Sequence, residues 1–392
     1  MNESTIKILV CGDYYPYSEI AGFVKDRDDD DCSSLFGNLL PLLDDSDLSA
    51  INIEFPLTNL EKPKTKRKLY KGEPATIEPI VQAGFSLVCL SNNHILDYGQ
   101  QGMRDTMTLV KNKGMDVVGC GRNLSEARKP YMISRDGIQV AILNISEKEF
   151  NFATQTKGGA NPIDCKDNID DIKCAKKECH HVVVIVHTGQ DYCFLPTPSM
   201  KKRLRSFVDA GASAVLCHHS HYISGIEEYK GAPIYYGLGS LIYPRFHNEE
   251  MNKTIVVSLE VKKHSLVHEA HYYVFDKQSF SLKSANSETD KRIQKQVDGL
   301  SFILLNDDLH HQKWLQELKR NHDYYRYAWL LLGYSNASFR VLKKLKLTII
   351  MRYILKIKKS KIKTILNLIR RETHNDASVA VLEELVGCNE ND

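Results

Sequence analysis

Five short segments of this sequence end in side chains that bind cations or move protons. They are Gly12-Asp13, Asn52-Ile53-Glu54-Phe55-Pro56, Asn92-Asn93-His94-Ile95-Leu96-Asp97, His187-Thr188-Gly189-Gln190-Asp191 and Cys217-His218-His219-Ser220-His221. Carboxylate, amide and imidazole donors suit a divalent transition metal such as Mn, Zn or Fe(II). The ten cysteines are scattered and form no C-x-x-C pair, which excludes a structural Cys-zinc site. Taken singly, each segment has a plainer use. Gly-Asp after a strand is ordinarily a turn, and Asn92-Asn93-His94 is a workable helix cap. The last segment is the most specific. His219 and His221, two residues apart on extended chain, share one side and can face one site, while His218 points away as a structural or supporting residue.

Each segment follows an apolar run. Ile6–Cys11, Leu48–Ile53, Leu87–Leu90, Val117–Cys120, Val140–Ile145, Val182–His187 and Ala214–Cys217 read as strands, and their continuity calls for burial on both faces. Ala75–Ala83, Met103–Lys113 and Ser199–Ala210 read as helices, with Gly84, Gly114 and Gly211 placed to cap them. Strand–helix alternation of this kind gives an α/β layered fold, and ligands bind at the carboxyl ends of its strands. Pro233–Tyr236, Thr254–Val261 and Val267–Val274 then read as an antiparallel closing section. Ser279–Asp290 reads as a polar linker, followed by helices at Arg292–Leu305, His311–Leu332 and 338–371.

Composition limits the partners. The 392 residues are 42% hydrophobic and 26% charged with a net charge of +3, so the chain as a whole is globular and is not a nucleic-acid binder. No apolar run is long enough for a membrane span, and no secretory signal is read at the N-terminus. With cysteines of this kind, a cytoplasmic location is expected. Two stretches are locally basic. Residues 62–71 hold six Lys/Arg, a solvated loop or an anionic-substrate contact. Residues 340–371 hold twelve Lys/Arg and no acid, with apolar residues at three- and four-residue spacing. They read either as an interfacial helix on an anionic membrane surface, peripheral at its inner face, or as a helix packed on the α/β core.

The order Asp, acid, Asn-His, His, His-x-His resembles the calcineurin-like metallophosphoesterases. In finer detail it is similar to the CapA family of capsule and poly-γ-glutamate synthesis proteins. Gly12-Asp13, Asn52 to Pro56, Asn92 to Gly99, His187 to Asp191, Cys217 to His221 and Tyr236 to Ser240 carry the likeness, over about residues 5–245. The resemblance implies a layered αββα sandwich in residues 1–278 with a C-terminal α-helical extension in 279–392. It implies one or two divalent metal ions: His219, Asn93 and His187 at one subsite, Asp13 and His221 at the other, and Glu54 between. His94 would be the catalytic acid or charge stabiliser, with Asp97 orienting it. The chain departs from the family at Thr188, Asp191, Cys217, Ser220 and Ser240. It also has Asp13-Tyr14-Tyr15 where metallophosphoesterases have Asp-x-His, so one ligand of the first metal is missing. The implied function is a metal-dependent, phosphatase-like hydrolase in capsule or other envelope-polymer synthesis, acting on an anionic polymer or phosphorylated precursor. A non-catalytic polymer-binding accessory protein, or an amide-acting or epimerising enzyme, would use the same constellation.

Overall fold

The computed structural model describes residues 4–27, 31–63, 68–148, 151–163 and 165–320, with positions 340 and 344. Apart from those two positions, the basic stretch 340–371 lies outside the described residues. In chain order the strands are β1 (Ile6–Tyr14), β2 (Leu48–Ile53), β3 (Leu87–Cys89), β4 (Asp116–Val118), β5 (Cys120–Gly121), β6 (Tyr131–Arg135), β7 (Ile138–Ser146), β8 (Gly159–Ala160), β9 (His181–Thr188), β10 (Ala214–His219), β11 (Ile226–Tyr229), β12 (Ala232–Tyr235), β13 (Ser240–Ile242), β14 (Lys253–Val261), β15 (Leu266–Asp276) and β16 (Ser281–Ser284). An eight-stranded sheet runs β16-β15-β14-β1-β2-β3-β4, with β13 also paired to β1. A six-stranded sheet runs β11-β12-β10-β9-β7-β6, and β5 pairs with β8. The centre of each sheet is parallel, β1 to β4 in the first and β7, β9, β10 and β12 in the second.

Side chains along the central strands divide by twos, and the division makes the layers. Ile6, Ile8 and Val10 of β1 join Val183, Ile185, Ala214 and Leu216 of the second sheet in a core between the sheets. Leu9 and Cys11 face the other way, into a core with Ile20, Leu39, Ile80, Met103 and Val110. Ile20, Ile80, Met103 and Val110 come from the helices Ser18–Lys25, Glu78–Gln82 and Gly99–Asn112. The helix Cys165–Glu178 packs on β7 and β9. The fold is therefore a layered α/β sandwich, and the continuous apolar runs follow from strands covered on both faces. Fully burying one Val, Leu or Ile of such a run contributes about 1.5–3 kcal/mol. Gly84 and Gly114 end their helices at φ +83° and +82°, where a side chain would be strained.

Several expectations need correction. Ser279–Asp290 is not a linker. It holds β16, which extends the first sheet beyond β15, and the start of the helix Ser287–Leu304. An edge strand with Ser281, Lys283 and Ser284 around a single buried Leu282 presents no apolar run to find. The helix expected at Ala75–Ala83 is a 3-10 turn, Pro74–Ile77, followed by Glu78–Gln82. The helix expected from His311 begins at Asp307 and is described to Arg320.

The chain divides into two compact units, Met1–Phe194 with Lys202–Phe302, and Leu195–Lys201 with Ile303–Asp392. In the second, the helix Asp307–Arg320 buries His310, Trp314 and Leu318 at four-residue spacing. Lys201, itself buried, pairs with Asp307 at 2.6 Å, and His310 Nε2 lies 2.8 Å from the Pro196 carbonyl. No helix among the described residues is long and apolar enough to cross a membrane.

Candidate metal centre

The first sheet brings the oxygen donors. Asp13 lies opposite Asn52 in the β1–β2 register, and Glu54 follows Asn52 by two residues. The Asn52 amide donates to both carboxylates, 2.7 Å to Asp13 Oδ1 and 2.8 Å to Glu54 Oε2. Its own oxygen accepts from Asn92 Nδ2 at 3.1 Å, and Asn92 also donates to the Ile53 carbonyl at 2.8 Å. The turn after β3 is pinned from β7 of the second sheet and from the segment that follows it: the Ser91 N–H donates to Asn144 Oδ1 at 2.7 Å, and Asn151 Nδ2 donates to the Asn92 carbonyl at 2.7 Å. Asn52, Asn92, Asn144 and Asn151 are all buried. An amide side chain offers both donors and acceptors, which suits it to lock a turn between two sheets. Sequence reasoning missed this scaffold. The available signal was Asn52, two residues before Glu54 on extended chain and so on the same side.

The second sheet brings the imidazoles. His187 lies opposite His218 in the β9–β10 register. Counting by twos from Val183 and Ile185, and from Ala214 and Leu216, sends both rings into the layer between the sheets. His218 is thus inside the centre, not turned away as expected. Its Nδ1 lies 2.6 Å from Asp13 Oδ1 and 2.9 Å from His187 Nδ1. His187 Nε2 lies 3.0 Å from Asn93 Oδ1 and 3.4 Å from Glu54 Oε1. His219 and His221 are not on extended chain: their φ angles are +117° and +65°. The expected strand alternation therefore does not set their directions. His221 Nδ1 meets the Tyr15 hydroxyl at 2.7 Å, and its Nε2 lies 3.9 Å from Asp191 Oδ1.

Two interlocked sets of ligand atoms result, Asp13/His187/His218 and Glu54/His187/His219, each within 4.8 Å. Of the six ligands expected, Asp13, Glu54, His187 and His219 fall in these sets and Asn93 touches His187. His221 falls in neither, and His218 is the addition. The residues present fit a divalent cation on their own chemistry. His219 Nδ1 and His218 Nε2 are buried without a hydrogen-bond partner among the described residues. Burial, then the charge of Asp13, pushes the Glu54 carboxyl up to about 8. Burial also pushes Asp13 up, but the charges and hydrogen bonds of His218 and His187 outweigh it and hold that carboxyl well below its usual range. One ionised carboxylate beside another that resists ionisation is a strain that a divalent cation relieves.

His94 stands at one side of these sets. Its Nδ1 lies 2.8 Å from Asp97 Oδ2, which also accepts the Tyr70 N–H at 2.9 Å. Asp97 is buried, whereas the His94 side chain keeps 21% of its surface exposed. The structure brings the two side chains together. Phe55 and Tyr70 hold the His94 ring edge-on at 5.4 and 5.1 Å. Across the site, Tyr15, Tyr192 and Tyr243 surround His221 at 5.0–5.6 Å. Burial raises the Tyr15 phenol well above its ordinary value, so it remains a neutral hydroxyl. Lys68 lies over the Tyr70 ring at 4.7 Å and Arg245 over Tyr17 at 4.3 Å. This aromatic wall was not anticipated, since its residues are dispersed along the chain.

The chain is 33% identical over 216 residues to the PGA biosynthesis protein CapA of Bacillus subtilis, covering 54% of this chain and 57% of that one. It is 31% identical over 220 residues to the capsule biosynthesis protein CapA of Bacillus anthracis, covering 53% of each. A probable polyglutamine synthesis accessory protein of Mycobacterium tuberculosis is 27% identical over 224 residues, 53% of this chain and 59% of that protein. The chain thus spans about half the length of the curated relatives it matches. Among solved structures, a hypothetical protein from Thermus thermophilus aligns with 69% of this chain and 99% of its own, at 16% identity and a TM-score of 0.43. Residues 7–245, the stretch from which both sheets draw the side chains of the centre, match the bacterial capsule synthesis protein family PGA_cap, and the chain belongs to that family.

Proposed function

We propose that this chain is a metal-dependent, phosphatase-like hydrolase acting on a phosphorylated or polyanionic precursor in the synthesis of a capsule or related surface polymer. The observation that carries the proposal is the convergence of Asp13, Glu54, Asn93, His218 and His219 around a shared His187, beside the His94–Asp97 pair. When bound, a divalent Mn, Zn or Fe ion supplies Lewis-acid polarisation of an oxyanion and an acidified water. The chain's own residues do the rest. Asn52 holds the two carboxylates at fixed separation. Asp97 accepts the Nδ1 proton of His94 and leaves Nε2 to exchange a proton with a leaving group. Lys68 and Arg245, at the aromatic wall, supply positive charge for an anionic substrate.

Elemental analysis of the purified chain, followed by turnover of an aryl phosphate with Mn, Zn and Fe(II), tests the proposal. Bound metal without turnover on a broad panel of phosphoesters and amides would favour a second reading, a non-catalytic polymer-binding accessory protein. The observation behind that reading is Tyr15, a neutral hydroxyl between Asp13 and His221 where a further ligand would be useful. Turnover confined to amides would point to an amide-acting enzyme. The proposal extends to place: through residues 340–371 the chain would sit on an anionic membrane surface at its inner face. Sedimentation with anionic vesicles at low salt, compared with a chain ending at Leu332, decides that point.

A further inference from the structure

We infer that Tyr15 closes one side of the centre to metal, so that the chain holds a single ion among Glu54, Asn93, His187 and His219, and His221 is not a ligand. The inference rests on reading the centre as a metal site. Tyr15 is 2% exposed, and its hydroxyl stands between two groups that would otherwise coordinate: 2.7 Å from His221 Nδ1 and 3.4 Å from Asp13 Oδ2. The ring cannot swing aside freely, because Tyr243 and Phe55 meet it edge-on at 4.4 and 5.7 Å and Tyr17 stacks at 6.1 Å.

Asp13 is correspondingly committed. Its Oδ1 already faces the Asn52 amide at 2.7 Å and His218 at 2.6 Å, and its Oδ2 faces the phenol. Glu54 is not. Its Oε2 takes the Asn52 amide, while Oε1 faces His187 Nε2 at 3.4 Å, with Asn93 Oδ1 3.0 Å from the same nitrogen. A neutral imidazole has one lone pair, so His187 serves one set at a time. With Nε2 directed to the Glu54 side, Nδ1 faces Asp13 and His218, the outer support that a metal-binding histidine ordinarily has. His221 spends Nδ1 on the Tyr15 hydroxyl, whereas His219 Nδ1 has no hydrogen-bond partner among the described residues; the Nε2 atoms of both rings lie near Asp191, at 3.9 and 3.4 Å.

The test is a count of ions on the full chain, by elemental analysis and by calorimetric titration with Mn²⁺ and with Zn²⁺. One ion per chain is expected for the wild type, with a Mn(II) electron paramagnetic resonance spectrum free of exchange coupling. His221→Ala is expected to keep that ion and His219→Ala to lose it. Tyr15→His places an imidazole between Asp13 and His221, completing three donors, and is expected to raise the count to two. Two ions in the wild type, loss of the ion in His221→Ala, or a count of one in a folded Tyr15→His protein would each overturn the inference and leave the metal reading standing. No ion in the wild type would overturn both. Should Tyr15→His not fold, the wild-type and His221→Ala counts decide.

Discussion

The two sheets bring unlike halves to the centre. The first contributes Asp13 from β1, just past a bulge against β2, and Glu54 and Asn93 from the segments that follow β2 and β3, tied together through the amides of Asn52 and Asn92. The second contributes His187 and His218 from its ladder, and its backbone enters the left-handed region at His219, the last paired residue of β10, and at Gly189, Tyr192 and His221 beyond the strands. A non-glycine residue held there costs on the order of 1–3 kcal/mol, so this half needs support that the first does not.

Removing the group common to both sets should give the largest effect. His187→Ala takes a ligand from Asp13/His218 and from Glu54/His219 together, and bound metal and aryl phosphate turnover are both expected to fall to background. Elemental analysis reads the first and a steady-state assay the second. Full metal content in that variant would break the division of labour between the halves.

The next effect belongs to the one imidazole on the acid side. Among the described residues no hydrogen bond or ion pair joins His94 to either ligand set, although its charge reaches Glu54, so His94→Ala should keep the metal and reduce turnover by about 10²–10⁴. Metal loss in parallel with activity would join His94 to the ligands and blur the comparison.

How much of this was legible in the sequence differs between the halves in the same way. The strand ends and the order of donors were readable because buried parallel strands are uniformly apolar and stop abruptly at polar residues. Asp13 lies one step inside its strand, not beyond it, because β13 pairs with β1 as well and prolongs it to Tyr14. His218 was misread through a correct rule with the wrong starting point. Alternation was counted from His219, but the ladder ends there, and counting from Ala214 and Leu216 puts His218 inside. Tyr15 was visible only as a departure from Asp-x-His. What it touches depends on His221, more than two hundred residues away, and no local pattern encodes that contact. The edge strands β6 and β16 were missed for want of a second apolar face.

A smaller effect tests the amide tie. Asn52→Leu removes the amide that donates to both Asp13 and Glu54, so Glu54 Oε2 loses that donor and Asp13 Oδ1 keeps His218. The expected loss is about 1–3 kcal/mol in urea unfolding of the chelator-treated protein, and less with metal present, since a cation compensates the same charges. Equal losses with and without metal would mean that the amide serves packing rather than the carboxylates.

The smallest effect is a pH dependence of the metal-free protein, and its two limbs come from the two halves. Glu54 has a folded value raised to about 8 by burial and then by Asp13, against an ordinary 4.5. Its contribution is fully present below the ordinary value and is lost as pH rises towards 8, because the unfolded chain then binds fewer protons than the folded one. His221 runs the other way. Burial lowers it to about 4 from 6.5, so its contribution is present above 6.5 and is lost as pH falls through 4. His310, in the second unit, is lowered to about 4 by burial as well and adds to the acid limb. Asp13 is held so low that its own loss lies at more acid pH still. The thermal midpoint of chelator-treated protein should therefore decline on both sides of near-neutral pH. Glu54→Gln should flatten the alkaline limb and steepen the acid one, because the Glu54 loss begins at 4.5 and opposes the histidine gain up to 6.5. Restoring metal should do the same, because a cation beside Glu54 favours the ionised carboxylate. An alkaline limb that survives both treatments would show that the acid half is not where the folded protein retains its extra proton.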